Sequence, residues 1–241
     1  MGYHLIMKIS LSLVTALMLA TSSGAVLAAE KPLTVVELYT SQGCSSCPPA
    51  DAYLAELADK KGLLPLSFHV DYWNYLGWED PYSSAAYSQR QNDFARYFEA
   101  RNVYTPQMVI QGVHQVVGSN RSEVKRAIKA AQSLPQIDLT IVPGNGGAKL
   151  SLPATGESVN ANVFVVMYDD EHITAVRRGE NRGKKIRNRN VVRDLQLIAN
   201  WQGEASQIAV SYGGSDAKKG AVLVQSTTTG AILGAAVFTV D

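Results

Sequence analysis

Residues 33–60, LTVVELYTSQGCSSCPPADAYLAELADK, constrain this chain more than any other stretch, because its only two cysteines, Cys44 and Cys47, fall there between two different periodicities. Residues 33–39 are an apolar run rich in β-branched side chains, the pattern of a buried strand, and Thr40, Ser41, Gln42 and Gly43 read as a turn. Beyond the cysteines, Tyr53, Leu54, Leu57 and Ala58 recur at helical spacing. Pro48 and Pro49 fall in the first turn, where a helix has no use for their missing N–H groups. The cysteines therefore mark the handover from a strand to a helix N-terminus. Unpaired N–H groups and the positive dipole end of a helix favour thiolate over thiol, and cysteines so placed have pKa values lowered from about 8.5 to about 3.5–7.5. Cys44 is expected to be the attacking sulfur, and Cys47, one turn inside, the resolving one.

Competing uses of the pair stay open. A structural disulfide is one, although CxxC closes a loop too small to remove much unfolded-chain entropy. Half of a zinc site needs a second close ligand pair, which His4, His69, His114 and His172 do not form. A soft ion such as Cu(I) suits two thiolates, helped by His69 or Met108. An interaction module with an inert disulfide is a further reading.

The compartment follows from the first residues. Lys8 precedes the apolar run 9–20, and the small-residue stretch TSSGAVLAAE offers cleavage after Ala28, with Val26 and Ala28 as the small side chains. Residues 1–28 are expected to be a secretory signal peptide rather than a membrane anchor, since the run is short for a span of about 20 residues. No later segment reads as a membrane span. The mature chain is then periplasmic or secreted, where a cysteine pair is either a disulfide or a redox tool. Its 22 basic and 21 acidic residues leave a net charge of +1, which gives no reason to expect nucleic acid as a partner.

After the first helix, residues 63–70 read as a second buried strand that delivers His69 and Asp71 to a loop. That loop carries Tyr72, Trp73, Tyr75, Trp78 and Tyr82, which either wall a groove for an extended substrate or pack as a satellite cluster. Asp80-Pro81 is expected to open a helix running to about Arg101. Strands follow at 107–111 and 114–117, then a helix whose start, Asn120 with Glu123, looks like a capping box.

With those elements placed, residues 33–133 resemble a thioredoxin-like domain, whose two marks are a CxxC at the start of the first helix and a cis-proline opening the third strand, here Thr105-Pro106. The runs GCSSCPPAD, HVDYWNYLGW and YTPQMVIQG more closely resemble an uncharacterised family of secreted thioredoxin-like proteins, over essentially the whole mature chain. The resemblance implies Cys44 as nucleophile, Cys47 as resolving thiol, Pro106 in cis and Thr105 offering backbone hydrogen bonds to substrate. It also implies Glu37 as a buried acid that accepts the Cys47 proton; the alternative for Glu37 is a solvent-facing strand-edge residue. Ser45-Ser46 between the cysteines and Gly43 before them depart from the familiar enzymes and leave redox direction open, within a range of about −270 to about −120 mV.

From about Ile137 the texture changes to short apolar runs broken by turn signals such as PGNGG, DDEH and TTTG, which predicts a β-sandwich or barrel-like domain. The expected fold is thus an α/β thioredoxin-like domain, residues 29–135, followed by a β-rich sandwich-like domain, residues 136–241. Within the second half, RRGENRGKKIRNRNVVRDL gathers Arg177, Arg178, Arg182, Lys184, Lys185, Arg187, Arg189 and Arg193. It reads as a solvated charged hairpin, or as a basic patch for an acidic partner, a phosphorylated cell-surface polymer or the edge of the thioredoxin-like half. The functional expectation is a thiol-disulfide oxidoreductase acting on exported proteins with thiols or disulfides, with a redox partner protein. The disulfide Cys44–Cys47 would be its only redox group, and Thr105, Pro106, Tyr72, Trp73 and Trp78 would contact substrate.

Overall fold

The structure, a computed structural model, describes residues 1–2, 32–144, 146–212 and 214–240; the expected leader and its cleavage site lie outside them. The elements run β1 Thr34–Thr40, α1 Pro48–Ala58, β2 Leu63–His69, α2 Ala85–Tyr97, β3 Gln107–Ile110, β4 His114–Val117 and α3 Arg121–Ala131. They continue as β5 Thr140–Gly144, β6 Gly147–Leu152, β7 Ala161–Ala175, β8 Lys185–Trp201, β9 Ser206–Val210, β10 Lys219–Ser226 and β11 Ile232–Thr239.

Eight of these strands form one mixed sheet in the order β11-β10-β7-β8-β2-β1-β3-β4, and β5-β6-β9 form a second, three-stranded sheet. This overturns the expected fold class of a thioredoxin-like α/β domain followed by a β-sandwich-like domain. Strand β8 lies parallel beside β2 and carries β7, β10 and β11 into the same sheet. The seam is sparse: Ser67↔Val191 is its one ladder pair. Asn190, at φ 49°, reinforces it by donating from Nδ2 to the Pro65 carbonyl at 2.7 Å. A proline inside β2 would disrupt a strand flanked by two full ladders, and the sparse seam accommodates it.

The core confirms that the sheet is shared. On one face Tyr39, Leu66, Phe68 and Val109 pack with Tyr87 and Phe94 of α2 and with Val166, Tyr168, Val192, Leu223 and Ile232 from the later strands. The opposite face carries two clusters. Val36, Leu38, Met108 and Ile110 meet α1 and α3, while Val163, Val165, Met167, Val222 and Val224 meet Leu150, Leu152 and Val210 of the small sheet. Strand alternation assigns these faces: odd positions of β1 point toward α2 and even ones toward α1. The segment around Leu134-Pro135 therefore joins parts of one packed unit, Lys31–Asp241. Among the described residues, no helix is long and apolar enough to cross a membrane.

Candidate functional site

Cys44 and Cys47 are joined as a disulfide with Cα atoms 5.5 Å apart. The turn that presents them is closed by Cys44 N–H donating to Ser41 O at 3.1 Å and by Cys47 N–H donating to Cys44 O at 3.3 Å. Cys47 is the N-cap residue of α1 and fully buried, Cys44 is 4% exposed, and Ser45 and Ser46 between them are exposed. An incoming thiol therefore meets Cys44 first. The expected thiolate donors in the first turn of α1 are absent, because Pro48 and Pro49 have no N–H and those of Ala50 and Asp51 donate to Cys47 O. Side chains replace them: Thr105 Oγ1 donates to Cys44 Sγ at 3.2 Å, and Ser46 Oγ lies 3.3 Å from it.

Thr105 precedes Pro106, and their peptide bond is cis. The aromatic segment lies over the same turn with its polar tips engaged. Trp73 Nε1 donates to Thr105 Oγ1 at 2.8 Å, Trp78 Nε1 to Gln42 Oε1 at 3.1 Å, and Tyr72 OH to Gln91 Oε1 at 2.9 Å. Tyr72, Trp73 and Trp78 are thus half-buried supports of the turn, and Tyr75, 76% exposed, is the aromatic that faces solvent. A Cβ at Gly43 would sit 3.1 Å from the Trp73 carbonyl oxygen, so the turn packs closely against the aromatic segment there.

A segment from far along the chain completes the enclosure. Buried Asn181 donates from Nδ2 to Gln42 O at 2.9 Å and to Cys44 O at 2.8 Å, and Glu180 Oε2 accepts from Ser45 N–H at 3.2 Å. Gly179, at φ 70°, lets this GENRG turn lie against Trp78. The basic stretch beyond it is strand: Arg187 pairs with Glu171, Arg189 with Asp170 and Asp59, and Arg193 with Asp169. The acidic run of β7 neutralises it through their antiparallel register.

Glu37 does not lie beneath the cysteines. Its odd position in β1 turns it to the α2 face, where Arg90 donates to both carboxylate oxygens at 2.7 Å and Tyr39 OH donates at 2.8 Å. The acid on the α1 side is Asp51, one turn beyond Cys47, a spacing that places Cβ atoms about 5–6 Å apart. Asp51 is 3% exposed. Its Oδ1 accepts from Thr40 Oγ1 at 2.8 Å, and its Oδ2 has no protein hydrogen bond. Burial pushes its carboxyl up to about 7, against the lowering pulls of His69 and the Thr40 hydroxyl. His69 Nδ1 lies 2.7 Å from Asp80 Oδ2, and both side chains are fully buried. Burial alone would lower the His69 pKa, but the Asp80 carboxylate outweighs it and the net shift is upward. Asp80 is shifted downward: burial would raise it, but His69 and the N–H groups of Gln42 and Tyr82 prevail.

These contacts revise one further expectation. Asp80 does not cap α2, because its carboxylate is committed to His69 and Gln42; α2 begins at Ala85 under Ser84, whose Oγ accepts from Ala86 N–H. Asp71 accepts from Ser88 Oγ at 2.5 Å. Met108 is buried in the apolar core. Among the described residues, no group of three or more His, Cys, Asp or Glu side chains is placed to hold a metal ion.

Residues 35–225 match the family model described as a protein of unknown function, DUF1223. The chain belongs to the DUF1223 family. The crystal structure of protein AGR_C_4864 from Agrobacterium tumefaciens is similar to it with a TM-score of 0.76 and 30% identity, covering 88% of this chain and 96% of that one. HBP35 of Porphyromonas gingivalis is similar in fold alone, with a TM-score of 0.57 and 12% identity over 88% of this chain and 76% of that one. No curated protein is significantly similar.

In this DUF1223 chain the structure brings Cys44, Cys47, Thr105, Trp73 and Trp78 into one site, sets Tyr72 behind it and leaves Glu37 across the sheet. From the sequence alone Asp80 reads only as a helix cap, and Asp51 and Asn181 do not stand out. Asp51 had a signal, since the fourth residue after a helix-capping cysteine lies on the same helix face. Asn181 had only the GENRG turn composition, which names no partner.

Proposed function

We propose that this protein exchanges dithiol for disulfide through Cys44 and Cys47, with exported proteins carrying thiols or disulfides as clients and a redox partner protein restoring its state. The observation that carries the reading is the asymmetry of the pair. Its outer sulfur is hydrogen-bonded by Thr105, and its inner sulfur is buried one turn from a carboxyl poised near 7. A general acid–base group works best with a pKa near the operating pH.

In the oxidising direction a client thiolate attacks Cys44 Sγ, forming a client–Cys44 disulfide, and the electron pair of the broken S–S bond leaves on Cys47, which takes a proton from Asp51. A second client thiolate then attacks the client sulfur and expels Cys44 as a thiolate, to which Thr105 Oγ1 donates. The client loses two electrons and the protein gains them. The reverse sequence reduces a client disulfide, with Asp51 removing the Cys47 proton. The leader sequence supports action outside the cytosol, where such exchange has clients.

Trapping tests the proposal. A Cys47→Ala variant retains the attacking sulfur and lacks the resolving one, so it accumulates mixed disulfides with client proteins, resolved by non-reducing electrophoresis and mass spectrometry. The absence of such adducts, together with no wild-type activity in insulin reduction, refutes the exchange function.

A further inference from the structure

The Thr105 hydroxyl lies between two groups whose roles chemistry dictates. An indole N–H only donates, so Trp73 Nε1, 2.8 Å away, occupies a lone pair of Thr105 Oγ1. The hydroxyl proton is left for Cys44 Sγ at 3.2 Å, and a disulfide sulfur or a thiolate has no proton to offer in return. Trp73 is itself held in place, with its backbone against Gly43 and its ring stacked on Tyr75 at 6.4 Å between centroids. Because the first turn of α1 has no free N–H for this sulfur, the relayed proton matters more here than at an ordinary helix start.

We propose that Trp73 is a positioning residue for exchange: its indole N–H orients the Thr105 hydroxyl so that the hydroxyl proton stabilises Cys44 as a thiolate. The inference rests on the reading of Cys44 as the exchanging sulfur, but it is measured by the ionisation of one thiol and needs no client. A failed trapping experiment and a failed relay are therefore distinguishable. The charged and titratable groups that face this turn are Glu180 at Ser45 N–H, Lys184 through Asn181 Oδ1, Tyr72 beside Thr105 and, on the buried side, Asp51 with the His69–Asp80 pair. None of them is altered in the variants used.

In the Cys47→Ala protein Cys44 is the only thiol, and the pH dependence of its alkylation by iodoacetamide gives its midpoint. Thr105→Val, which keeps the branched shape and removes the hydroxyl, raises that midpoint by about one to two pH units, the effect of losing a hydrogen bond to a charged group. Thr105→Ser, which keeps the hydroxyl, leaves it near the parent value. Trp73→Phe, which keeps a ring and removes the N–H, raises it by about half a unit or more. In the Thr105→Val background Trp73→Phe adds nothing, because the group it orients is gone. An unchanged midpoint in Trp73→Phe, or an equal shift in both backgrounds, overturns the relay. A second measurement leaves Trp73 in place: its indole N–H resonance follows the Cys44 titration when Thr105 is present and not in Thr105→Val. A resonance indifferent to that titration also overturns the proposal.

Discussion

Replacing Asp51 with Asn keeps an oxygen able to accept from Thr40 and removes a carboxyl that is buried one turn below Cys47. Two consequences follow, each with a calculable size. The carboxyl rises from 3.8 to about 7 on folding, so between those values the folded state holds more protons than the unfolded chain and stability falls as pH rises. At about 1.36 kcal/mol per unit, the accumulated penalty above the folded value is on the order of 4 kcal/mol. His69, whose pKa is also raised, adds a loss of the same sign as pH rises through its folded value. Urea denaturation of the oxidised protein at pH 4 to 8 measures the slope, and Asp51→Asn removes the part due to Asp51. The second consequence is kinetic. Cys47 must lose a proton before it attacks a Cys44 mixed disulfide, and a positioned acid–base group contributes about 10²–10⁴-fold to such a step. Reduced Asp51→Asn protein mixed with glutathione disulfide should therefore accumulate the Cys44–glutathione adduct, with resolution slowed by at least about tenfold and no longer titrating near 7. The assay is acid quenching followed by intact-mass analysis. Resolution at the wild-type rate, with the wild-type pH profile, refutes the assignment of Asp51 as the proton acceptor.

Two other changes probe the architecture around the site. Glu37→Gln leaves the Arg90 guanidinium buried without its counter-charge and costs about 3–5 kcal/mol, read as a lower denaturation midpoint. The alkylation midpoint of Cys44 stays put, because Glu37 faces α2 across the sheet; a shift there contradicts that separation. A fragment ending at residue 136 loses Val166, Tyr168, Val192, Ala221, Leu223 and Ile232 from the core around Tyr39 and Phe68. At about 1.5–3 kcal/mol per buried side chain, that is on the order of 10 kcal/mol, comparable with the whole stability of a typical domain, about 5–15 kcal/mol. The fragment is expected to be unfolded by circular dichroism and proteolysis, and a cooperatively melting fragment would contradict the single-sheet core.

What the sequence by itself determined is local. Alternation and β-branching over residues 33–39, two prolines after Cys47, and the apolar spacing through Leu57 were enough to place the cysteines between a strand and a helix, and the structure has β1, the turn and α1 there. Interactions within a turn or a few residues dictate such features, so they are legible in the order of residues. The tertiary structure decided everything that depends on which distant segments meet. No periodicity says that β8 will lie beside β2, because an apolar strand satisfies its pattern against any neighbour of suitable shape, and the wrong fold class followed from pairing the later strands only among themselves. The choice of acid had the same origin: Glu37 and Asp51 are both single carboxylates in apolar surroundings, and only the sheet, by turning one toward α2 and the other toward α1, put Asp51 beside the cysteines. Asn181, 137 residues from Cys44, joins the site for the same reason. The β7–β8 hairpin brings its turn back over the strand-to-helix corner, where Asn181 donates to the Gln42 carbonyl and adds a second donor to the Cys44 carbonyl beside the local Cys47 N–H.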